Sequence, residues 1–561
     1  VHLINIQCPE AVSMFQLFRR DVLKCLRGVC EDERFVKESD HADLACTIAF
    51  KLAKEQKRKP IEVANEIAEK LEPIGYIGKI EVVNGYINFF ASEEFLEDTI
   101  NTILDTDENY GSLNLRGKVL IEHTSANPDG PIHIGHMRNS IIGDSLARIF
   151  RKAGFDVTTH YYVNDMGRQI AIAVLGYRMF GLDESKKPDH AVVEAYVKAN
   201  REIENNPDLE REVERLMIEY EKFSDDVVGD FEYVVSKALD GIKQTLRELN
   251  IHHDDYVWES EFLRNGYVDK ILKMLDEKGL IKKEDAWFVE LDEKPVVLRR
   301  ENGTTLYITR DLAYHLWKNE NFERFINVLG ADHKLYGKQL SKILELINLK
   351  PPEIVFFEFV SLPEGSMSTR KGKFVSADEL IAKVYEEAKK IVEERNFRKE
   401  EKEKIAKAVA VGAIRFDFVK IAPEKPMVFD WEKALDFERQ TASYVQYAHA
   451  RCCSILRKAV ESGMPDLEFK PELCTKVERN LVMLLSKFSY VIEKVIKDLK
   501  PNYVAEYLLS VANTFNDFYR EHRVLDEVSE IRMHRLAIVD AVRIVLRNGL
   551  ELLGIEALER M

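Results

Sequence analysis

A short apolar strand that runs into a loop and reopens as a helix limits what this chain can fold into more than any other feature. From Lys118 the sequence reads KVLIEH, then the loop TSANPDGP, then a helix from about His136 to Ala153. FDVTTHYYV follows as a second strand and NDMGRQIAIAVLGYRM as a second helix. Strand–helix–strand units of this length pair in parallel with right-handed crossovers, which predicts an α/β domain. Residues 185–250 are highly charged and helical, and read as an insertion into that domain. Strand patterns resume at WFVELD, VVLRR, TTLYIT, FINVLG and EIVFFEFV.

The flanking texture differs. VSMFQLFRRDVLKCL and IEVANEIAEKL have helical periodicity. KIEVVNGYINFFAS then alternates around an Asn-Gly turn signal. From about residue 400 only helical patterns appear. The expected organisation is an α+β domain over 1–112, an α/β domain over 113–405 and an all-α domain over 406–561. The length, 561 residues, gives a similar answer of about three to four domains.

Composition excludes several classes. With 45% hydrophobic and 32% charged residues the chain can build cores, so it is not a disordered protein. The 81 basic and 97 acidic residues leave a net charge of −16. That argues against wrapping nucleic acid by bulk positive potential, and leaves room for a local basic groove. No uncharged run reaches the roughly 18 residues of a membrane span, so a cytoplasmic protein without membrane contact is expected. Seven scattered cysteines with no C-x-x-C pair suit a reducing compartment, and no structural metal is expected.

The sharpest motif is His133-Ile134-Gly135-His136, where the helix opens after the first strand. Chance alone gives roughly 0.02 H-x-G-H matches in a chain of this composition. The first turn of a helix has unpaired amides and a positive partial charge, so phosphates bind there. Histidines three apart face the same side and can each donate to phosphate oxygens. Gly135 keeps the backbone bare so that a flat base can lie against it. A second candidate is the loop GSMSTRKGK at 365–373, whose Arg370 and Lys371 could neutralise phosphate charge.

These two motifs together resemble the class I aminoacyl-tRNA synthetases. SANPDGPIHIGHMRNSIIGDSLARI at 125–149, LYITRDLAYH at 306–315, YVQYAHARCCSILRK at 444–458 and the terminal LELLGIEALERM narrow the resemblance to the arginyl-tRNA synthetase family. The resemblance implies a Rossmann-like catalytic domain, an N-terminal domain on the tRNA elbow and an anticodon-binding C-terminal domain. It implies that L-arginine and ATP with Mg²⁺ form arginyl-adenylate, and that the arginyl group passes to the terminal 2′-hydroxyl of tRNA(Arg). The expected partners are tRNA(Arg), L-arginine and ATP, and a monomer is expected.

Site residues carry over singly. His133, His136, Arg370 and Lys371 are the catalytic candidates. Gly135, Gly330, Asp332, His333, Met367 and Ser368 fall where the family binds ATP. Glu122, Asn127, Glu259, Tyr307, Asp311 and Gln339 fall where it binds arginine. Asp311 could instead cap the helix beginning LAYHLW, Glu259 could be a surface acid, and Glu122 could pair with a neighbouring arginine. A guanidinium is planar, always charged and best met by carboxylates, which suits the acids in that set. Asn84, Tyr86 and Asn88 resemble the family's base-reading set on the tRNA elbow, with one residue fewer in the spacing. Tyr444, Tyr447, Arg451 and Met561 match positions near the anticodon. The chain departs from the family where the second signature normally reads K-M-S-K-S; here S-M-S-T-R lacks both lysines. A small nucleotidyltransferase, a non-catalytic tRNA-binding relative and a synthetase for glutamate or cysteine are the competing readings.

Overall fold

The pattern that begins at Lys118 folds into a five-stranded parallel sheet. Its strands are β1 (Lys118–Glu122), β2 (Asp156–Val163), β3 (Asp255–Trp258), β4 (Arg324–Gly330) and β5 (Glu353–Phe357). Their spatial order is β5-β4-β1-β2-β3, and every neighbouring pair is parallel. Leu120 and Ile121 are fully buried, as expected for a strand covered on both faces. The direction of winding reverses at β1, so a crevice opens beyond the carboxyl ends of β1 and β4. The computed structural model describes residues 13–39, 41–291, 294–363, 376–436, 440–463 and 467–561.

Helix α1 (Ile134–Ala153) returns from β1 to β2. The charged insertion forms three helices, Pro188–Asn205, Pro207–Glu221 and Asp225–Glu248, between β2 and β3. TTLYIT is not the strand its β-branched residues suggest. Arg299 and Thr305 make one isolated bridge, and helix α2 (Tyr307–Asn321) starts directly after. The helical spacing of Ile308, Leu312 and Leu316, all buried, overrides the local β propensity. Trp287–Val289 and Val296–Arg299 likewise stay out of the parallel sheet. With Ile281–Lys283 they form a separate antiparallel sheet.

At the N-terminal end, Ile77–Val83 and Tyr86–Ala91 form the expected hairpin, with Asn84 at φ 52° and Gly85 at φ 89° in its turn. Val36–Lys37 and Leu44–Cys46 extend it to four strands. Among the described residues the C-terminal region is helical apart from Met427–Val428, which pairs in parallel with Val360–Ser361.

Buried arginines join these parts. Arg415, fully buried on the helix Lys399–Val419, pairs with Asp144 of α1 at 2.5 Å. It also donates to the carbonyls of Leu249 and Leu553, at 2.8 and 2.5 Å. Gly554 has φ 67°, and a Cβ there would lie 2.4 Å from the Arg415 guanidinium. Arg138 of α1 donates to the carbonyls of Glu358 and Ala422, at 2.6 and 3.2 Å.

Candidate active site

The loop after β1 puts the two signature histidines at the mouth of the crevice. His133 is the N-cap of α1, and its Nδ1 accepts from the amides of Gly135 and His136 at 3.0 and 3.3 Å. His136 Nδ1 accepts in return from the His133 amide at 3.4 Å. The rings stack with centroids 3.7 Å apart. Burial lowers the His133 pKa, and burial with the neighbouring His133 charge holds His136 at about 3. Both rings are therefore neutral near pH 7. With Nδ1 accepting, each carries its proton on Nε2 and can donate it. A Cβ on Gly135 would lie 2.8 Å from the His133 ring, so the glycine is required by this packing as well as by any base.

The loop itself is strained. Thr124 has φ 70° and Ser125 φ 38°, a left-handed conformation costly for a β-branched residue. Asn139 of α1 holds it, accepting from the Thr124 amide at 2.7 Å and donating to the Val328 carbonyl of β4 at 2.9 Å. One side chain thus spans the point where the sheet reverses.

A cleft of about 990 Å³ opens from here, lined by His133, Gly135, His136, Gly330, Asp332, His333, Glu122, Asn127, Glu259, Tyr307 and Asp311, among others. These come from five stretches of sequence, around 122–127, 133–136, 259, 307–311 and 330–333. Asp311 and Tyr307 sit four apart on α2, on one helical face. Asp311 therefore lies inside the helix, whose N-cap is Leu306, and is not a cap. It accepts from the Tyr336 hydroxyl and faces His315 Nδ1 at 3.0 Å. Burial alone would raise its pKa, but His315, Lys318 and Tyr336 outweigh that and hold it below the usual range. Glu259 is 2% exposed, so it is not a surface acid. Burial pushes its pKa up to about 7 despite Arg310, whose Nε lies 2.9 Å from Oε1. Glu122 pairs with the buried Lys318 rather than with an arginine. Asn127 is held between Gln169 and Asn164, at 2.8 and 2.9 Å.

Gln339 is not among the lining residues. It lies one turn further along the helix Lys334–Leu346, and Tyr336 in the first turn reaches the cleft in its place. Met367, Ser368, Arg370 and Lys371 lie outside the described residues. Several lining groups carried no sequence signal: Tyr336, Arg310, Asn139 and Tyr162. The Tyr162 hydroxyl is buried with no hydrogen-bond partner, and its ring stacks on Tyr314 at 4.8 Å. A tyrosine inside an apolar strand reads as core, and only the unpaired hydroxyl distinguishes this one.

The RNA-contact candidates fall on two other surfaces. Asn84 and Tyr86 are exposed at the hairpin, and Tyr86 meets Phe50 edge-on at 4.8 Å. Asn88, by contrast, is 3% exposed within the sheet and cannot meet a base while the sheet is closed. In the C-terminal domain Tyr444, Tyr447 and Arg451 share a face of the helix Ala442–Glu461. Arg451 lies over both Tyr447 and Tyr519, at 4.7 and 4.5 Å, and donates to Asn516 at 2.6 Å. Tyr519 is the exposed ring that spacing within one helix could not reveal. Met561 is half-buried against the same domain's core.

Comparison with known proteins agrees along the whole chain. A family model described as tRNA synthetases class I (R), catalytic domain, matches residues 99–431. The Arginyl tRNA synthetase N terminal domain matches 21–91, and the DALR anticodon binding domain 445–561. An arginine–tRNA ligase of Archaeoglobus fulgidus is 71% identical over 98% of this chain and 100% of its own length. One of Methanocaldococcus jannaschii is 46% identical over 92% of this chain and 94% of its own. The solved arginyl-tRNA synthetase of Thermus thermophilus matches with a TM-score of 0.82 at 28% identity, covering 97% of this chain and 100% of that one. The parallel sheet with its histidine-capped helix, the acid-lined cleft and these matches together place the chain in the arginyl-tRNA synthetase family.

Proposed function

We propose that the chain is an arginine–tRNA ligase. A carboxylate oxygen of L-arginine attacks the α-phosphorus of MgATP, the bond to the β-phosphate oxygen breaks, and pyrophosphate leaves. The terminal 2′-hydroxyl of tRNA(Arg) then attacks the carbonyl carbon of arginyl-adenylate, and AMP leaves. The observation that carries this reading is one cleft that holds two neutral imidazole donors, the buried acids Glu122 and Glu259 and the half-buried Asp311.

The roles follow from the chemistry of each group. His133 and His136 donate Nε2–H to phosphate oxygens as charge builds, where a fixed donor in a dry site typically gives about 10²–10³ in rate. The α1 amides and helix dipole add to this. Gly330, Asp332 and His333 border the nucleotide. Asp311 and Glu259 take the guanidinium, Tyr307 and Tyr336 wall it, and Glu122 and Asn127 hold the α-amino and carboxylate end. An analogue without the guanidinium forfeits charge-assisted hydrogen bonds to Asp311 and Glu259 inside the cleft, which makes one-step selection sufficient. Asp332, at the cleft edge beside Gly330 and His333, would be able to serve the Mg²⁺ that accompanies the substrate phosphates.

Asn84 and Tyr86 meet an unpaired elbow base by stacking and amide bonding, and the Tyr444, Tyr447, Arg451 face meets the anticodon. One chain supplies every site named, so a monomer acting in the cytosol suffices. No helix among the described residues is long and apolar enough to cross a membrane.

Charging of tRNA(Arg) with labelled arginine tests the reading; a stable ester on that tRNA is expected, and no charging with arginine would contradict it. The same reading gives Arg370 or Lys371, in place of the two missing signature lysines, the task of neutralising the pyrophosphate. Charge reversal at one of them is expected to slow arginine-dependent ATP–pyrophosphate exchange at least tenfold, and unchanged rates in both variants would remove the loop from the mechanism.

A further inference from the structure

The end of the helix Pro207–Glu221 belongs to the charged insertion, yet two adjacent residues there connect to Glu259 through two separate hydrogen-bond chains. In one chain, the Tyr220 hydroxyl donates to Asp165 Oδ2 at 2.5 Å. Asp165 Oδ1 in turn accepts from the Ser260 amide at 3.0 Å. Ser260 follows Glu259 directly, and the Glu259 amide donates to the Val163 carbonyl at 3.0 Å. The backbone at Glu259 is therefore fixed at both of these amides. The Tyr220 ring is itself held, lying face to face on Phe231 at 4.0 Å.

In the other chain, Glu221 Oε1 accepts from both the amide and the hydroxyl of Thr305, each at 2.7 Å. The carbonyl and hydroxyl of Thr305 accept from Arg310 at 2.6 and 3.1 Å. Arg310 is the cation facing Glu259. This second branch has a chemical consequence. A carboxylate can take an incoming guanidinium only if its internal cation is restrained from claiming both oxygens. The Thr305 anchors restrain Arg310, and Glu221 restrains Thr305. Asp165, Glu259, Ser260 and Thr305 are all buried, so no solvent substitutes for a lost link.

We infer that Tyr220 and Glu221 are positioning residues for arginine recognition, setting the Glu259 carboxylate and keeping Arg310 to one of its two oxygens. The inference rests on the reading of Glu259 as a guanidinium contact and goes beyond it, because it gives the insertion a part in amino-acid selection.

The test is steady-state charging of tRNA(Arg) by the full chain, with KM measured separately for arginine and for ATP. Glu221→Ala is expected to raise the arginine KM about tenfold and to leave the ATP KM within twofold. Glu221→Gln keeps an acceptor oxygen for Thr305 and is expected to recover most of that loss. Tyr220→Phe removes one hydroxyl and is expected to raise the arginine KM about fivefold; it carries the test if Glu221→Ala does not fold. An unchanged arginine KM in Tyr220→Phe and in the folded Glu221 variants would overturn the inference. So would an ATP KM that rises in step with it, since that marks a general structural defect. If the unaltered enzyme shows no arginine-dependent charging, the arginine reading itself falls and takes this inference with it.

Discussion

Glu259 is the acid whose charge state is most open to change, because burial has pushed its pKa up to about 7 in the free site. The ionised form is the one that binds a guanidinium. Below pH 7 the free carboxyl takes up a proton that arginine must displace, so the arginine KM is expected to rise as pH falls, by up to about tenfold per unit. Above pH 7 it should be flat. The ATP KM is expected not to follow, since His136, held at about 3, stays neutral across this range and burial lowers His133 as well. Parallel KM measurements from pH 8 to 5.5 check this, and Glu259→Gln should abolish the difference. How much of the site could be read from sequence divides along the same line. The histidines were legible because both lie within one turn of one helix, and Tyr307 and Asp311 only because the stretch LYITRDLAYH resembles the family; their shared helical face was hidden by the strand-like TTLYIT. Tyr336, Tyr162 and the Arg310 partner were not, because their meaning depends on which strand or helix faces them.

Helix α1 connects nucleotide chemistry at one end to domain assembly along its length. Gly143 lies against His123, where a Cβ would sit 2.2 Å from that side chain, and Asp144 receives Arg415 from the C-terminal helices. Removing one partner of a fully buried pair leaves an uncompensated charge, at a typical cost of about 3–5 kcal/mol. Asp144→Leu is therefore expected to be strongly destabilised in urea unfolding. The double variant Asp144→Leu, Arg415→Met should recover much of the loss; no recovery would show that the pair is not the source. The elements around α1 were largely legible from hydrophobic period. TTLYIT misled because five of its six residues are β-branched or aromatic, although its last three already belong to a helix whose apolar spacing only becomes apparent over the next two turns. β3 was passed over because four residues are too few to show any period.

Across the molecule, burial holds several histidines neutral. His123 and His136 have pKa values of about 3, and His160 and His449 of about 4, against an unfolded value near 6.5. Their contribution is complete above pH 6.5 and is lost as pH falls towards those values, since only the unfolded chain then takes up the protons. Glu259 and Asp129, raised to about 7 and about 6, work in the opposite sense. For these six groups the balance is about two protons near pH 5, or on the order of 3 kcal/mol per pH unit. Unfolding midpoints should therefore drop steeply between pH 6 and pH 4.5, and a flat profile there would show these rings to be solvated. The same interior arrangement, neutral imidazoles facing a grip of buried acids, is what the functional account depends on. ATP–pyrophosphate exchange with each of the twenty amino acids, in the presence of tRNA(Arg), tests it most directly. Exchange with arginine alone is expected; exchange driven equally by a neutral or acidic amino acid, or by none, would contradict it.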